Sequence, residues 1–497
     1  MAFFVEYFEV HTVLIVITTF LLFYCFILKP RGPCRLPPGP WGLPILGHLI
    51  QMGERPHIKF VQWAKQFGDV FSIRMGSHLV VVLNGYDVVR EALSKRATSF
   101  SGRPAWLNRR SLGDRGIVNT TGRPWKEQRK FALRTLHSFG MGKEALEEVM
   151  IGELEYVVKA FEETNGEIFD PSHVLQKAIS NVISTVVFGS RFDYEDEFFC
   201  KLLHDMDKMF ENTVGALLID LFPKLVHIAD YLDPATPKFR ACVKALEVKI
   251  DECKARTKAG HDNDSPDNFI DTYLKNVENN VANEDSSFKD DYHLSEVIME
   301  LFFGGTDTTL TTLQWAFMFM LSNPDVQQKV QDEIDRVVGK DRQPRWEDKA
   351  KMPYTEATIL EFQRVNPVLP LAVPHATIED IEFRGYFIPK GTLVFINLYS
   401  VSRDERYWEN GAKFDPAHFL NEDGEVVKSD VSLPFSAGSR ECLGAQLAKP
   451  ELFVFFTRLL QKFSFVRTDD SSELNFEGVL STVYRPRPYK LRAIRRT

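Results

Sequence analysis

One cysteine lies in a run of residues that leaves the backbone few conformations. From Phe435 the sequence reads Phe-Ser-Ala-Gly-Ser-Arg-Glu-Cys-Leu-Gly, which places Cys442 between Gly438 and Gly444 and two residues after Arg440. The glycines allow tight turns in which backbone N–H groups can point at the sulfur. A thiolate held in this way can be an axial ligand of a haem iron, and the arginine could neutralise a haem propionate. A buried cysteine in a glycine-rich turn is the alternative.

A second unusual run, FFGGTDTT, begins at Phe302 inside a long apolar stretch that predicts a helix. Adjacent glycines such as Gly304 and Gly305 each cost a helix about 1 kcal/mol relative to alanine, and a buried aspartate also destabilises it unless it has a partner. Such a departure from helix preferences indicates a functional site. The glycines would make room for a flat cofactor and a diatomic ligand, and Asp307 and Thr308 could relay protons. A kinked helix with a back-bonded threonine is the alternative.

The two runs resemble motifs of one family, the cytochrome P450 monooxygenases. The first matches the haem-binding signature Phe-x-x-Gly-x-Arg-x-Cys-x-Gly at every fixed position, and the second matches the oxygen-activation motif Gly-x-Asp/Glu-Thr. The resemblance implies that Cys442 binds the iron of haem b, and that Phe435, Gly304 and Gly305 lie at the cofactor. It also implies that the aspartate and threonine of the second run deliver protons to bound O2.

Trp125 and Arg129 are spaced four residues apart, so their side chains would lie on the same face of a helix. The family has a Trp-x-x-x-Arg helix that contacts a haem propionate, and Arg440 and His375 match further propionate-binding positions. A cation–π pair on a helix surface and an ordinary loop histidine are the alternatives.

Lys126, Lys130 and Arg134 recur every four residues on a different face of the same predicted helix. On a chain with a formal net charge of -8, a local basic stripe could steer an acidic redox partner. A solvated helix face is the alternative. The negative net charge argues against general binding of nucleic acid.

Glu361 and Arg364 are spaced so that they meet on one helix face, and His418 follows in the segment Phe-Asp-Pro-Ala-His-Phe. Such a pair is usually solvent-exposed and contributes little. The resemblance to the family's Glu-x-x-Arg motif implies instead a buried structural triad behind the thiolate loop. Pro450 departs from the family pattern, and it predicts a kinked or shortened helix after that loop.

The amino-terminal part predicts a membrane anchor. Residues 12–28 carry no charge, and as a helix they would span about 26 Å, close to the thickness of a bilayer core. Acidic residues precede the run and basic residues follow it, which predicts a cytosolic body. We therefore expect a signal anchor at 1–28, a proline-rich spacer at 29–47 and a catalytic domain at 48–497, in a single-pass protein of the endoplasmic reticulum membrane. A buried or interfacial segment is the alternative.

The body is predicted to be mainly α with a smaller β part, and the resemblance implies the cytochrome P450 fold. Glycine-broken β-branched runs predict strands within 70–83 and 381–397. The polar segment 258–291 predicts a surface loop around a short helix. Apolar periodicity and capping residues predict helices at 121–137, 156–188, 294–321, 324–338 and 353–365.

The chain has no evident electron source of its own, because it lacks a Gly-rich dinucleotide motif after a strand. The resemblance implies electrons from an NADPH-cytochrome P450 reductase, with cytochrome b5 as a second candidate donor, and a lipophilic small-molecule substrate. The segment 355–364 resembles the family-two microsomal enzymes, but it does not select a substrate class. The rival functions are a haem-thiolate isomerase or dehydratase and a membrane-tethered haem sensor. Six scattered cysteines without a CxxC pair favour a reducing compartment.

Overall fold

A computed structural model describes residues 35–104, 114–139, 144–209, 235–258, 268–468 and 474–496, together with positions 12, 15, 16, 18, 19, 219 and 221. The predicted membrane segment lies almost wholly outside the described residues, and the five of its positions that are described are helical. Within these ranges, no helix combines the length and the apolar character that crossing a membrane requires.

The described body is mainly helical, as predicted. The structure confirms three of the predicted helices, 294–321, 324–338 and 353–365, almost to the residue. The helices are α1 Leu49–Met52, α2 Pro56–Phe67, α3 Tyr86–Arg90, α4 Arg123–Ser138, α5 Glu144–Glu163, α6 Ser172–Phe188, α7 Glu197–Met209, α8 Ala235–Lys258, α9 Phe269–Glu278, α10 Leu294–Ser322, α11 Pro324–Val337, α12 Pro353–Val365, α13 Leu398–Val401 and α14 Ala445–Lys462.

The prediction of one helix over 156–188 is wrong, because this stretch belongs to two helices, α5 and α6. Asn165 and Gly166 adopt positive φ angles of 51° and 76°, which end the first helix. A short strand follows at Ile168–Phe169, and Pro171 precedes the second helix. The Asn-Gly pair is a turn signal that the apolar periodicity on either side obscured.

The smaller β part contains one four-stranded sheet in the order β1-β2-β7-β4, in which only the β2–β7 pair is parallel. Strands within 70–83 and within 381–396 confirm the two predicted β segments, and the strands within 381–388 form a separate two-stranded sheet. The strands are β1 Val70–Met75, β2 His78–Leu83, β3 Ile168–Phe169, β4 His375–Ala376, β5 Ile381–Phe383, β6 Tyr386–Ile388, β7 Leu393–Ile396, β8 Phe463–Val466, β9 Val479–Leu480, β10 Tyr484–Arg485 and β11 Leu491–Arg495.

The second half of the proline-rich spacer is attached to the sheet. The Ser72 side chain and backbone donate hydrogen bonds of 2.7 Å to the carbonyls of Pro37 and Pro38. A Cβ on Gly39 would lie 1.8 Å from the carbonyl oxygen of Ser72, so only glycine fits there. Residues 35–47 therefore form part of the folded body.

Helix α14 does not end at Pro450 but continues from Ala445 to Lys462. The predicted shortening is therefore wrong. Pro450 has no N–H to donate to the carbonyl of Gln446, four residues earlier, so the helix loses one backbone hydrogen bond but does not end there.

Glu361 and Arg364 on α12 form a bidentate ion pair with two contacts of 2.7 Å, and both side chains have 0% exposure. The guanidinium also donates to three backbone carbonyls within 402–413. His418 Nδ1 lies 3.0 Å from Glu361 Oε1, and this contact raises the pKa of His418. The structure thus brings the three predicted triad residues together and joins α12 to the segment before the thiolate loop.

Glu361→Gln should destabilise the protein, because it leaves the buried guanidinium of Arg364 without a counter-ion. Removing one partner of a buried pair costs about 3–5 kcal/mol, so we expect a lower melting temperature and little bound haem. Unfolding curves and the haem-to-protein ratio would measure both effects. The control is Glu252→Gln, which removes a solvent-exposed pair with Lys249 and should change stability by less than about 0.5 kcal/mol. Equal effects of the two substitutions would contradict the assignment.

Candidate active site

The loop that carries Cys442 is fixed by close backbone contacts. Gly438 has a φ of 75°, and a Cβ there would lie 1.8 Å from the carbonyl oxygen of Leu93, in the π-helical turn Glu91–Lys95 that follows α3. The Cys442 N–H donates a 3.0 Å hydrogen bond to the carbonyl of Phe435. Glycine is therefore required at the point of contact, and the cysteine is held in a closed turn.

The Cys442 sulfur lies at the amino terminus of α14, where the backbone N–H groups of Gly444 and Ala445 contact it. Burial raises the pKa of the thiol, while these N–H groups and the charge of Arg129 act in the opposite direction. The Cys442 side chain has solvent-accessible surface, yet protein atoms surround it on most sides. It therefore faces a cleft within the protein. On balance the pKa of the thiol lies above its ordinary value, so the thiolate, the form that binds metals, would be stabilised chiefly by the metal ion itself.

The FFGGTDTT run lies within the continuous helix α10, and its two glycines have different surroundings. A Cβ on Gly304 would meet no atom within 4 Å, whereas one on Gly305 would lie 3.2 Å from Ile183 of α6. Gly305 therefore permits close helix packing, and Gly304 leaves open space. One turn later, the Thr308 hydroxyl donates a 2.6 Å bond to the Gly304 carbonyl. This hydrogen bond matches the alternative of a back-bonded threonine, which the sequence alone did not exclude.

Segment 117–120 forms hydrogen bonds with both α10 and the thiolate loop. Glu300, one turn before Gly304, accepts hydrogen bonds from the N–H groups of Ile117 at 2.6 Å and Val118 at 2.9 Å. From the other side, Arg440 donates to the carbonyls of Ile117 at 3.1 Å and Thr120 at 2.6 Å. Segment 117–120 therefore fixes the distance between the helix and the loop that bears the cysteine.

Three arginines converge at this connection. Arg103 donates to the carbonyls of residues 118, 373 and 374, Arg129 donates to that of Glu441, and Arg440 donates to those of residues 101, 117 and 120. Among the described residues, none of the three forms an ion pair with a carboxylate. Burial, together with Arg103 and Arg129, lowers the pKa of Arg440 to about 8, and burial lowers the pKa of Arg103 to about 10. Such a cluster favours an anionic ligand, because a buried charge needs an opposite charge nearby.

The indole of Trp125 completes this cluster. The Arg440 guanidinium stacks 3.8 Å from the centroid of the Trp125 ring. The Trp125 Nε1–H is buried and has no acceptor among the described residues. An orphaned donor beside three cations suits a ligand with two carboxylates. The residues present therefore fit the propionates of a haem.

His375, a predicted propionate-binding residue, is fixed by a hydrogen bond to the backbone. Its Nδ1 lies 2.7 Å from the carbonyl of Phe100, and because a carbonyl only accepts, Nδ1 carries the hydrogen. Burial and the charges of Arg103 and Arg440 lower the pKa of His375 to about 3. A propionate beside the ring would favour its protonated form, whose Nε2–H could donate to the carboxylate.

The sequence did not reveal three further residues of this region: Arg103, Glu300 and Arg485. Arg485 of β10 donates a 2.5 Å hydrogen bond to Oδ1 of Asp307. No local spacing predicts this pair, because its members are 178 positions apart. A carboxylate one turn before a helix glycine is a signal that could have identified Glu300.

Trp125→Phe should weaken haem binding, because it keeps the ring beneath Arg440 but removes the N–H. A hydrogen bond to a charged group contributes about 1.5–3 kcal/mol, so we expect haem to dissociate at least roughly tenfold faster. Transfer of haem to excess apomyoglobin would measure the rate. Trp41→Phe, at an exposed tryptophan, is the control and should leave it unchanged. Indistinguishable rates for the two variants would refute the role of Trp125.

Comparison with known proteins agrees with this geometry. Residues 37–493 match the family model described as Cytochrome P450. Cytochrome P450 2D4 of Rattus norvegicus is 40% identical over 471 residues, which cover 93% of each chain. Vitamin D(3) 25-hydroxylase of Sus scrofa is 40% identical over 477 residues, which cover 94% of each chain. Cytochrome P450 2J2 of Homo sapiens is 37% identical over 487 residues, which cover 97% of this chain and 96% of the relative. The chain therefore belongs to the cytochrome P450 family, the monooxygenases that use haem b, O2 and electrons derived from NADPH.

Proposed function

We propose that this monooxygenase hydroxylates or epoxidises a lipophilic substrate at a haem held by Cys442. The observation that carries the proposal is the position of the sulfur, in a fixed turn at the amino terminus of α14 and facing an internal cleft. The bound haem would supply the activation of O2 and the transfer of one oxygen atom to the substrate.

The residues around the cleft have distinct proposed roles. Cys442 binds the iron, and the Phe435 carbonyl holds the cysteine backbone in place. Trp125, Arg129 and Arg440 hold the propionates, and Arg103 adds a charge to the same cluster. A lipophilic substrate fits a site whose α10 wall includes the half-buried Phe303, next to the open space at Gly304.

Thr308 and Asp307 are the proposed proton-delivery residues. The Thr308 hydroxyl lies one turn from Gly304, next to the open space at that glycine. Asp307 is buried but is linked through Arg485 to a partly exposed surface. A haem-thiolate isomerase or dehydratase would need no proton delivery, so the buried carboxylate favours the monooxygenase over these rivals and over a haem sensor.

A product screen tests the proposed reaction. The full chain would be reconstituted in lipid with an NADPH-dependent flavoprotein reductase and given fatty acids, steroids, terpenoids and vitamin D3. Vitamin D3 is included because one relative is named a vitamin D(3) 25-hydroxylase. We expect an NADPH-dependent product that is heavier by one oxygen atom, as detected by mass spectrometry.

Thr308→Ala is the matched variant for this screen. We expect it to consume NADPH but to release hydrogen peroxide in place of product, with about 10²-fold less product if the hydroxyl acts in general acid catalysis. Product formation without NADPH or O2 would favour the isomerase hypothesis. Unchanged coupling in Thr308→Ala would show that Thr308 does not deliver protons.

The redox partner is proposed to dock on α4. Lys126, Lys130 and Arg134 are exposed on this helix, while Trp125 of the same helix is buried beside Arg440. A partner bound to the basic stripe would therefore be separated from the propionate cluster by a single helix. NADPH-cytochrome P450 reductase is the proposed donor, and cytochrome b5 would compete for the same face.

Reversing two charges of this stripe, Lys126→Glu with Lys130→Glu, should slow reduction by the reductase roughly tenfold at low salt, because electrostatic steering raises association rates by at least this factor. Rapid mixing of the proteins at several salt concentrations would measure the rate. The rate of the parent protein should fall with salt, and that of the variant should not. Lys159→Glu, on α5, is the control. Equal salt dependence in parent and variant would place the docking surface elsewhere.

Membrane anchoring is proposed from the apolar run at 12–28 and from the surface that follows it. Trp41, Leu43, Ile45 and Ile50 are large apolar residues that are exposed within ten positions of one another. An exposed apolar patch next to an anchor suits contact with lipid. We place the protein in the endoplasmic reticulum membrane with its catalytic domain in the cytosol.

A further inference from the structure

The carboxylate of Asp307 is buried, and its two oxygens have different surroundings. Its side chain is 6% exposed, and Oδ1 accepts the 2.5 Å hydrogen bond from Arg485. Oδ2 is buried and has no hydrogen-bond partner among the described residues. A buried carboxylate oxygen without a protein partner is a position for a bound water.

Asp307 and Thr308 are sequence neighbours, but the described hydrogen bonds do not join their side chains. The Thr308 hydroxyl donates to the carbonyl of Gly304, and Oδ1 of Asp307 is bound by the guanidinium. A proton that passes between the two side chains must therefore cross water, and Oδ2 is the atom with free acceptor capacity.

The charge of Asp307 depends on two other groups. Burial raises the pKa of Asp307, Arg485 lowers it through both its charge and its hydrogen bond, and Asp207 of α7 raises it. Arg485 is therefore the group that favours the ionised carboxylate, and Asp207 opposes it.

The backbone of Arg485 is firmly anchored, while its side chain is 26% exposed. The neighbouring Tyr484 accepts a 2.8 Å bond from the indole of Trp315 on α10 and donates one of 2.8 Å to the carbonyl of Val368. Arg485 itself pairs with Val479 in the β9–β10 hairpin. The guanidinium thus extends from a fixed strand to Asp307 and reaches the surface.

The same guanidinium also acts on Asp207. Gln176 of α6 donates a 2.9 Å bond to this second carboxylate. Burial raises the pKa of Asp207, and Gln176, Arg485, His173 and His204 lower it in that order. The charge of one arginine therefore acts on two carboxylates that lie on different helices. Only Asp307 is next to the threonine of the proposed relay.

We propose that Arg485 is a positioning residue for proton delivery, and that it keeps the Asp307 carboxylate ionised and oriented so that Oδ2 can pass protons from solvent water toward Thr308. A proton from bulk water binds Oδ2 and moves through water to the Thr308 hydroxyl, which gives its own proton to the reacting oxygen. Asp307 then returns to its ionised form. Two electrons from NADPH and two protons reduce the second oxygen atom of O2 to water. The inference rests on the proposed monooxygenase relay.

The test measures coupling, the share of NADPH electrons recovered in product, between pH 6 and pH 9. It uses the reconstituted full chain and the substrate that gives most product in the screen. Coupling requires ionised Asp307, which exists above its pKa. Arg485→Gln removes the group that lowers this pKa, so the midpoint of the pH profile should move to higher pH. Below the new midpoint, coupling should be lower in the variant than in the parent at the same pH. Arg485→Lys should restore most of the coupling.

Asp207→Asn provides the opposite change. It removes a charge that raises the pKa of Asp307, so the midpoint should move to lower pH if the ionised Asp307 carboxylate governs coupling. An unmoved midpoint in both Arg485→Gln and Asp207→Asn, with coupling lost in Thr308→Ala, would overturn the role of Arg485 and leave the proposed function standing. If Arg485→Gln does not fold, Arg485→Met, which keeps the length of the side-chain stem but removes the charge, takes its place in the same comparison. Full coupling in both Thr308→Ala and Asp307→Asn would instead contradict the relay itself.

Discussion

The guanidinium of Arg440 is the contact on which the candidate site depends. It joins the thiolate loop to residues 101, 117 and 120 through three backbone carbonyls, and it stacks on the indole of Trp125. Glu300 holds the same segment from α10. The positions of the sulfur, the α10 wall and the propionate cluster are therefore set together. An arginine serves here because its planar fork can donate in several directions at once.

The arginine of the structural triad and the arginines near the thiolate loop differ in how their charges are balanced. Arg364 has a bidentate carboxylate partner and three carbonyl acceptors, so its charge is balanced within the protein. Arg103, Arg129 and Arg440 have carbonyl acceptors but, in the described part of the chain, no carboxylate partner. The first arrangement stabilises the fold without a ligand. The second leaves positive charge that a dianionic cofactor can neutralise, which couples cofactor binding to stability.

Most of what the sequence predicted about the fold and the candidate site rests on local motifs. The thiolate loop, the long helix α10 and the Glu361–Arg364 pair could be predicted because each shows a pattern among neighbouring residues. His418 is 54 positions from Arg364, and only the family resemblance placed it with the pair. The separate roles of Gly304 and Gly305 could not be predicted, since they depend on whether Ile183 of α6 lies against a given helix face. The Asp307–Arg485 pair was hidden for the same reason. The continuation of α14 through Pro450 was also missed, because the local rule that a proline ends or kinks a helix does not take the surrounding packing into account.

The central claim is that the Cys442 sulfur binds a haem iron. The most direct measurement is the difference spectrum of the reduced protein with carbon monoxide, compared between the parent, Cys442→Ala and Cys200→Ala, the last at a half-buried free cysteine on α7. The account predicts a thiolate-type band in the parent and in Cys200→Ala and its loss in Cys442→Ala. A thiolate-type band that persists in Cys442→Ala, or a nitrogen-ligated spectrum in the parent, would contradict it.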